Sequence, residues 1–222
     1  MKLYIYEHCP FCIRPRIIAG VKKIPLELIY FANDDEKSHI DLIGKKQVPF
    51  LQKDDGNFLI ESLDICQYLN NFDNNPILSN EITTTARLIE LTTLLSNASK
   101  SLIYPSFLNH PLNQKDFPTQ SAKDYFEHKK EKYIGCFKAN LRFPTAAIES
   151  TQAILNELNP LMTFTYASSD NLSWDDVMIF PILRNLSIIS HLIDIPENIK
   201  HYIKYLAQQA DIALYTSFLN QG

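Results

Sequence analysis

Glycine is scarce in this chain, at 5 of 222 residues. That leaves little material for phosphate-cradling loops or for a β-rich architecture, both of which draw on positive φ angles. Cysteine is sparse too, at Cys9, Cys12, Cys66 and Cys136. So few cannot form a disulfide scaffold. In a reducing compartment a close pair is more often redox-active or metal-binding. Long apolar runs are missing. None approaches the roughly 18 residues of a membrane span. Only Leu3–Tyr6 separate Met1-Lys2 from Glu7, short of the roughly 7–15 apolar residues of a signal peptide. The expectation is a cytoplasmic protein with no membrane partner. Basic excess is missing as well, with 21 Lys and Arg against 25 Asp and Glu. No nucleic-acid partner is expected.

What remains is an ordinary globular balance, 45% hydrophobic and 21% charged. The length suits one or two domains. Residues 1–72 alternate strand and helix signals. Lys2–Tyr6 reads as a strand, Cys9–Val21 as a helix broken by Pro25, and Leu26–Phe31 as a second strand. Asn33-Asp34 offers a cap for a short helix running to Ile43 and stopped by Gly44. Val48–Gln52 and Phe58–Ile60 flank the turn Asp54–Asn57 as a hairpin. Ser62 then caps a helix through Phe72. The order is βαβαββα. Residues 73–80 are polar, contain a Pro and read as a linker. Beyond them strand signals vanish. Helical patterns cover 81–104, ended or kinked by Pro105, then Thr119–Leu141, Thr145–Leu158, Ser173–Leu192 and Pro196–Gln209. The expected fold class is α/β plus all-α, with domains at 1–72 and 81–222 joined by the linker 73–80.

The chemistry concentrates at Cys9-Pro10-Phe11-Cys12, between a strand and a helix. Cys9 falls at the helix N-cap, where free N–H groups and the positive dipole end favour an anion. Pro10 suits the first helical position, since its absent N–H would be unpaired anyway. Cys12, three residues on, can face the same side. A thiol of ordinary pKa is only about 3% ionised at pH 7, and helix termini and CxxC motifs lower that pKa. Cys9 is expected to attack, and the more buried Cys12 to resolve. A zinc site would need four ligands. Only His8 is near and no second CxxC exists, so no metal is expected.

These residues carry a resemblance. Cys9-Pro10-Phe11-Cys12 resembles a glutaredoxin active site, with Phe11 where the usual motif has Tyr. Lys46-Gln47-Val48-Pro49 is similar to the cis-proline loop of the thioredoxin fold. Glu61-Ser62 is similar to the glutathione-binding pair of glutaredoxins and glutathione transferases. The helical second part, with Ser173–Asp176 and Phe180–Leu186, is similar to the transferase architecture. Over nearly its whole length the chain resembles the glutaredoxin 2 family of large two-domain bacterial glutaredoxins.

The resemblance implies a thioredoxin-like domain followed by a glutathione transferase-like helical domain. It implies a monomeric, glutathione-dependent thiol–disulfide oxidoreductase acting on protein disulfides and glutathionylated proteins. Glutathione would be a cosubstrate, with no tightly bound cofactor. Catalysis would fall to Cys9 and Cys12, and glutathione binding to Val48, Pro49, Glu61 and Ser62. A cis Pro49 would aim the Val48 backbone at the cysteinyl part of glutathione. Ser62 would hold the γ-glutamyl carboxylate and Glu61 the γ-glutamyl ammonium. Arg14, Arg16, Lys22, Lys45 and Lys46 are candidates for the glycyl carboxylate. The alternative is a transferase that conjugates electrophiles.

The remaining features read as structural. His8 is expected to be an exposed neighbour of the motif, the alternative being that it polarises the Cys9 thiolate. Cys66 and Cys136 are expected to be buried apolar thiols. Ser173–Asp176 has the form of a capping box. Trp174 and the aromatics Tyr125–Phe137 are expected to fill a core or a domain interface.

Overall fold

The computed structural model describes residues 1–78, 86–164 and 171–215. The first unit is β1 (Lys2–Ile5), α1 (Pro10–Val21), β2 (Glu27–Tyr30), α2 (Glu36–Ile43), β3 (Phe50–Gln52), β4 (Phe58–Leu59) and α3 (Ser62–Asn71). The sheet order is β2-β1-β3-β4. β1 and β2 are parallel, while β1–β3 and β3–β4 are antiparallel. This is the thioredoxin-like half that the βαβαββα pattern predicts.

Alternation along β1 sorts its side chains to opposite faces. Leu3 and Ile5 point into the large core with Ile13, Ile17, Ile18 and Leu69. Tyr4 and Tyr6 join Phe31 and Phe50 in a second, aromatic cluster, where Tyr4 stacks on Phe50 at 4.4 Å. α1 starts with Pro10 at its first positions and Cys9 as extended N-cap. α2 is capped by Asp35, whose carboxylate accepts from the Ser38 N–H at 2.9 Å, one residue beyond the expected cap. It ends at Gly44 with φ +76°. The N-cap of α3 is Glu61. Ser62 is therefore the first helical residue, which corrects the expectation that it caps.

The helical unit contains α4 (Ala86–Phe107), α5 (Gln120–Ile134), α6 (Phe137–Arg142), α7 (Thr145–Leu158), α8 (Trp174–Leu186) and α9 (Glu197–Ala210). α4 runs through Pro105 rather than ending there. Its expected start at 81 and the end of the linker at 79–80 lie outside the described residues. The single helix expected over Thr119–Leu141 is two, because Gly135 at φ +75° ends α5 and Cys136 caps α6. The helix expected to reach Leu192 ends at Leu186 and tightens into a 3₁₀ turn, Ser187–Ile189. Its start is as the sequence implies. Ser173 and Asp176 exchange cap hydrogen bonds, at 3.3 Å from the Asp176 N–H to Ser173 Oγ and 2.9 Å from the Ser173 N–H to the Asp176 carboxylate.

The two units share one continuous apolar core, running from Leu3 through α1, α4, α8 and α9 to Tyr215. α1 is the common element: it shares its core with Leu3, Ile5 and Leu51 of the sheet and packs on α3, α8 and α9. Gly20 permits this approach. A Cβ there would lie 2.0 Å from the Ala210 carbonyl oxygen. Among the described residues no helix is long and apolar enough to cross a membrane.

Candidate active site

Cys9 sits where β1 ends and α1 begins. Its carbonyl accepts the first helical hydrogen bonds, from the Cys12 N–H at 3.0 Å and the Ile13 N–H at 3.3 Å. The amides of the first turn thus face its sulfur, as anion-binding helix ends do. The Cys9 thiol is pulled from its ordinary value of 9.0 down to about 7. The main cause is a hydrogen bond from the Cys12 side chain, followed by the charge of His8 and the backbone N–H groups of Cys12 and Phe11, all working against burial. Cys12 is fully buried. Its thiol is pushed well above the ordinary value, first by burial and then by the hydrogen bond and charge of Cys9. The two sulfurs are therefore differentiated, with Cys9 half-buried and ionisable and Cys12 buried and protonated.

His8 is buried, not exposed as the sequence suggested. Its Nδ1 lies 2.7 Å from Asp116 Oδ2. The ring stacks between Tyr6 and Phe117, at 5.5 and 5.2 Å. Asp116, itself fully buried, also accepts the Glu7 N–H at 3.0 Å and the His8 N–H at 3.1 Å. Asn185 Nδ2 donates to the His8 carbonyl at 3.1 Å. Arg184, fully buried, donates Nη1 to the Glu7 carbonyl at 3.0 Å and pairs through Nη2 with the Glu7 carboxylate. Arg16 donates to the same carboxylate at 3.0 Å, and the Tyr30 hydroxyl does so at 3.0 Å. Burial opposes the Glu7 charge, yet Arg16 and Arg184 together hold its carboxyl below the usual value. The helical unit thus grips the two residues before Cys9 by backbone and side chain. Sequence reasoning missed Asp116, Arg184 and Asn185. Lone polar residues in apolar or loop context carry no local sign of such long-range partners.

The loop on the other side of the cleft is held by a buried relay. His39 is neutral, since burial lowers its pKa. Its Nδ1–H donates to the Gln47 carbonyl at 3.0 Å, so Nε2 accepts from the Tyr6 hydroxyl at 3.0 Å. The next peptide bond, Val48–Pro49, is cis. Gln47 Nε2 donates to Glu61 Oε1 at 3.2 Å, and Arg14 Nη1 donates to Ser62 Oγ at 3.3 Å.

Cys9 opens onto a cavity of about 430 Å³ between the units. One wall is Tyr6, His8, Phe11, Lys46, Gln47 and Val48. The other comes from α4, α5 and α8, with Lys100, Tyr104, Tyr125, Phe126, Lys130 and Asn185 among its residues. Of the expected site residues, the cavity brings together Cys9 and Val48. Cys12 lies beneath. Pro49, Glu61 and Ser62 are not on its wall, but Glu61 is tied to it through Gln47. Of the basic candidates, Arg16 is committed to Glu7 and Lys22 to Asp73 at 2.5 Å. Lys45 lies 3.8 Å from Glu61. Only Lys46 lines the cavity. Tyr125 and Phe126, expected to fill a core or a domain interface, line it as well, and Phe126 is also part of the core. Cys66 is buried as expected, and burial pushes its thiol up. Cys136 is exposed, against expectation, because the break at Gly135 turns it out of the helix. No group of side chains suited to a metal is present among the described residues.

A thioredoxin-like domain with a differentiated CxxC pair at a helix start, closed by an all-helical second domain, defines a two-domain dithiol oxidoreductase. Comparison with known proteins agrees. Residues 86–218 match the model of the glutaredoxin 2 C-terminal domain, and residues 3–76 match that of the glutathione S-transferase N-terminal domain. Glutaredoxin 2 of Escherichia coli K12 is 36% identical over 98% of this chain and 99% of its own. The structure of glutaredoxin 2 from Salmonella typhimurium in complex with glutathione superposes with a TM-score of 0.89, at 37% identity over 97% of each chain. A glutathione S-transferase from Rhodospirillum rubrum shares the fold alone, with a TM-score of 0.60 and 17% identity over 100% of this chain and 92% of its own. The chain belongs to the glutaredoxin 2 family, and it is a glutathione-dependent thiol–disulfide oxidoreductase.

Proposed function

We propose that Cys9 is the attacking thiolate and Cys12 the resolving thiol, with glutathione as cosubstrate bound along the Val48 side of the cleft. The observation that carries this is the opposite displacement of two neighbouring thiols, Cys9 down to about 7 and Cys12 well above its ordinary value. With a glutathionylated protein, the Cys9 thiolate attacks the glutathione sulfur. The S–S bond breaks and the protein thiolate leaves. A second glutathione thiolate then attacks the Cys9-bound glutathione, releasing glutathione disulfide and the Cys9 thiolate. With a protein disulfide, Cys9 forms a mixed disulfide with one protein sulfur. The charge that held the Cys12 proton is then gone, so Cys12 deprotonates more easily. It attacks the Cys9 sulfur and releases the protein dithiol. Two glutathione molecules reduce the resulting Cys9–Cys12 disulfide.

Glutathione is the reductant because the chain falls in a family with a glutathione-bound relative. Val48, on the cavity wall with Cys9, offers its backbone to the cysteinyl part as an added strand. Ser62, at the first turn of α3 with Arg14 on its hydroxyl, suits the γ-glutamyl carboxylate. Glu61 suits the ammonium, in exchange for its contacts with Gln47 and Lys45. Glutathionylated and disulfide-bonded proteins are the substrates on this reading, and the work divides between residues 1–72 and 81–222. A mixed-disulfide reduction assay coupled to glutathione reductase tests it. Cys9→Ser should abolish all turnover, and Cys12→Ser should lose protein disulfide reduction while keeping deglutathionylation. Full activity of Cys9→Ser would refute the assignment.

A further inference from the structure

The charged side chains that line the cleft are of one sign, and most come from the helical wall. Lys46, Lys100, Lys129 and Lys130 line it, and no lining side chain is acidic among the described residues. This contrasts with the chain as a whole, whose formal net charge is −4. Lys46 is partly neutralised, with Glu36 at 3.8 Å and its Nζ donating to the Asn33 carbonyl at 2.5 Å. None of the three lysines of the helical unit forms a direct ion pair with a carboxylate among the described residues, although Lys129 feels Glu36 through the Tyr125 hydroxyl that bridges them. Lys100 reaches only Asn97 Oδ1, at 3.1 Å, and Lys129 only the Tyr125 hydroxyl, at 3.1 Å. Lys130 lies over the faces of Tyr104 and Phe126, at 4.8 and 5.4 Å. Its ammonium thus rests on aromatic faces at the wall of the cavity that holds Cys9, within electrostatic reach of that sulfur.

Such a wall attracts anions and repels cations. It stands opposite Val48, where glutathione is placed by the reading above, on which this inference rests. A disulfide straddling Cys9 must send one half to each wall. We propose that the helical wall selects the leaving half: the preferred substrates are glutathione mixed disulfides of peptides with acidic residues beside the cysteine, read by Lys100, Lys129 and Lys130. In the step concerned, the Cys9 thiolate bonds to the glutathione sulfur. The S–S bond breaks, and the peptide leaves as its thiolate and takes a proton from water. The lysines face both the peptide's carboxylates and the charge developing on its sulfur.

The test uses the full chain and two glutathionylated peptides, identical except for Asp or Lys on either side of the cysteine. The expected kcat/KM ratio favours the acidic peptide by about tenfold at about 20 mM salt, and shrinks toward one near 0.5 M as charges are screened. The triple variant Lys100→Met, Lys129→Met, Lys130→Met should lose most of that ratio, and the corresponding triple Arg variant should keep it. A ratio within one variant is insensitive to a general loss of folded protein. A second readout compares iodoacetate with iodoacetamide at Cys9. The anionic reagent should gain on the neutral one in the wild type and lose that gain in the Met triple. Equal kcat/KM for the two peptides in the wild type, or an unchanged ratio in the Met triple, overturns the inference. If the ratio is one while Cys9→Ser is inactive on both peptides, the oxidoreductase assignment stands and only the charge selection fails. If Cys9→Ser turns over both, the assignment itself fails.

Discussion

Replacing Cys12 by Ala should raise the Cys9 pKa, because the largest influence holding it near 7 is the hydrogen bond from the Cys12 side chain. A hydrogen bond to a charged group contributes about 1.5–3 kcal/mol, and a thiol is a weak donor, so the lower figure applies. That is about one pK unit, which moves the midpoint to about 8. At pH 7 the ionised fraction then falls from about one half to about one tenth. The more basic thiolate is intrinsically faster, by about threefold per unit. The two effects nearly cancel, and the alkylation rate at pH 7 should change by less than about twofold. A single-pH assay would therefore miss the shift. The informative measurement is iodoacetamide alkylation of Cys9 from pH 5 to 10, followed by mass spectrometry in a Cys136→Ser background, since Cys136 is exposed. The expected profile has its midpoint about one unit higher and a plateau about threefold higher. Cys12→Ser keeps a donor and should titrate near the wild-type midpoint. A Cys12→Ala midpoint equal to the wild type would refute the reasoning, and the helix end and His8 would have to carry the whole shift.

Further expectations concern the scaffold. Arg184→Met breaks one side of the buried pair with Glu7 and should cost about 3–5 kcal/mol of stability, read by denaturant unfolding, with a loss of turnover because the Cys9 approach is no longer held. Glu7 titrates below its ordinary 4.5 in the folded chain, so its contribution is present above that value and is lost as the pH falls below it; the Met variant should show a shallower acid slope there. His39 is depressed below its ordinary 6.5, so the unfolded state binds the proton first. Stability should decline below pH 6.5 by at most about 1.4 kcal/mol per pH unit, and His39→Gln should flatten that decline in calorimetry. Gly20→Ala should destabilise by about 1–3 kcal/mol, read as a lower Tm. Ala210→Gly should not restore it, because the clash is with the carbonyl of that residue.

Much of this protein was legible locally. The short aromatic and β-branched run Lys2–Tyr6 and the helical recurrence of Ile13, Ile17 and Ile18 are both signals within one element. So is the proline after Cys9, and together they located the motif at a helix start. Ser173 and Asp176 announced their own cap. The breaks were harder. Gly135 splits a helix whose apolar pattern continues across it, so the pattern implies a buried Cys136 where the structure exposes it.

What tertiary structure alone decided is the setting of the reactive sulfur. The cysteines were named by their spacing, but the residues that grip the approach to Cys9 come from far along the chain: Asp116, Arg184 and Asn185 reach back to Glu7 and His8. A buried arginine near the end of an apolar helix looks, in sequence, like an exposed one. The lysines facing Cys9 across the cleft are likewise ordinary surface charges until α4 and α5 are packed against the sheet domain. Short-range periodicity fixes which element a residue joins, because helix and strand geometry repeats over a few positions. Which charges meet depends on how the elements pack, and that is set by the shared core around α1, where no sequence neighbour records the partner.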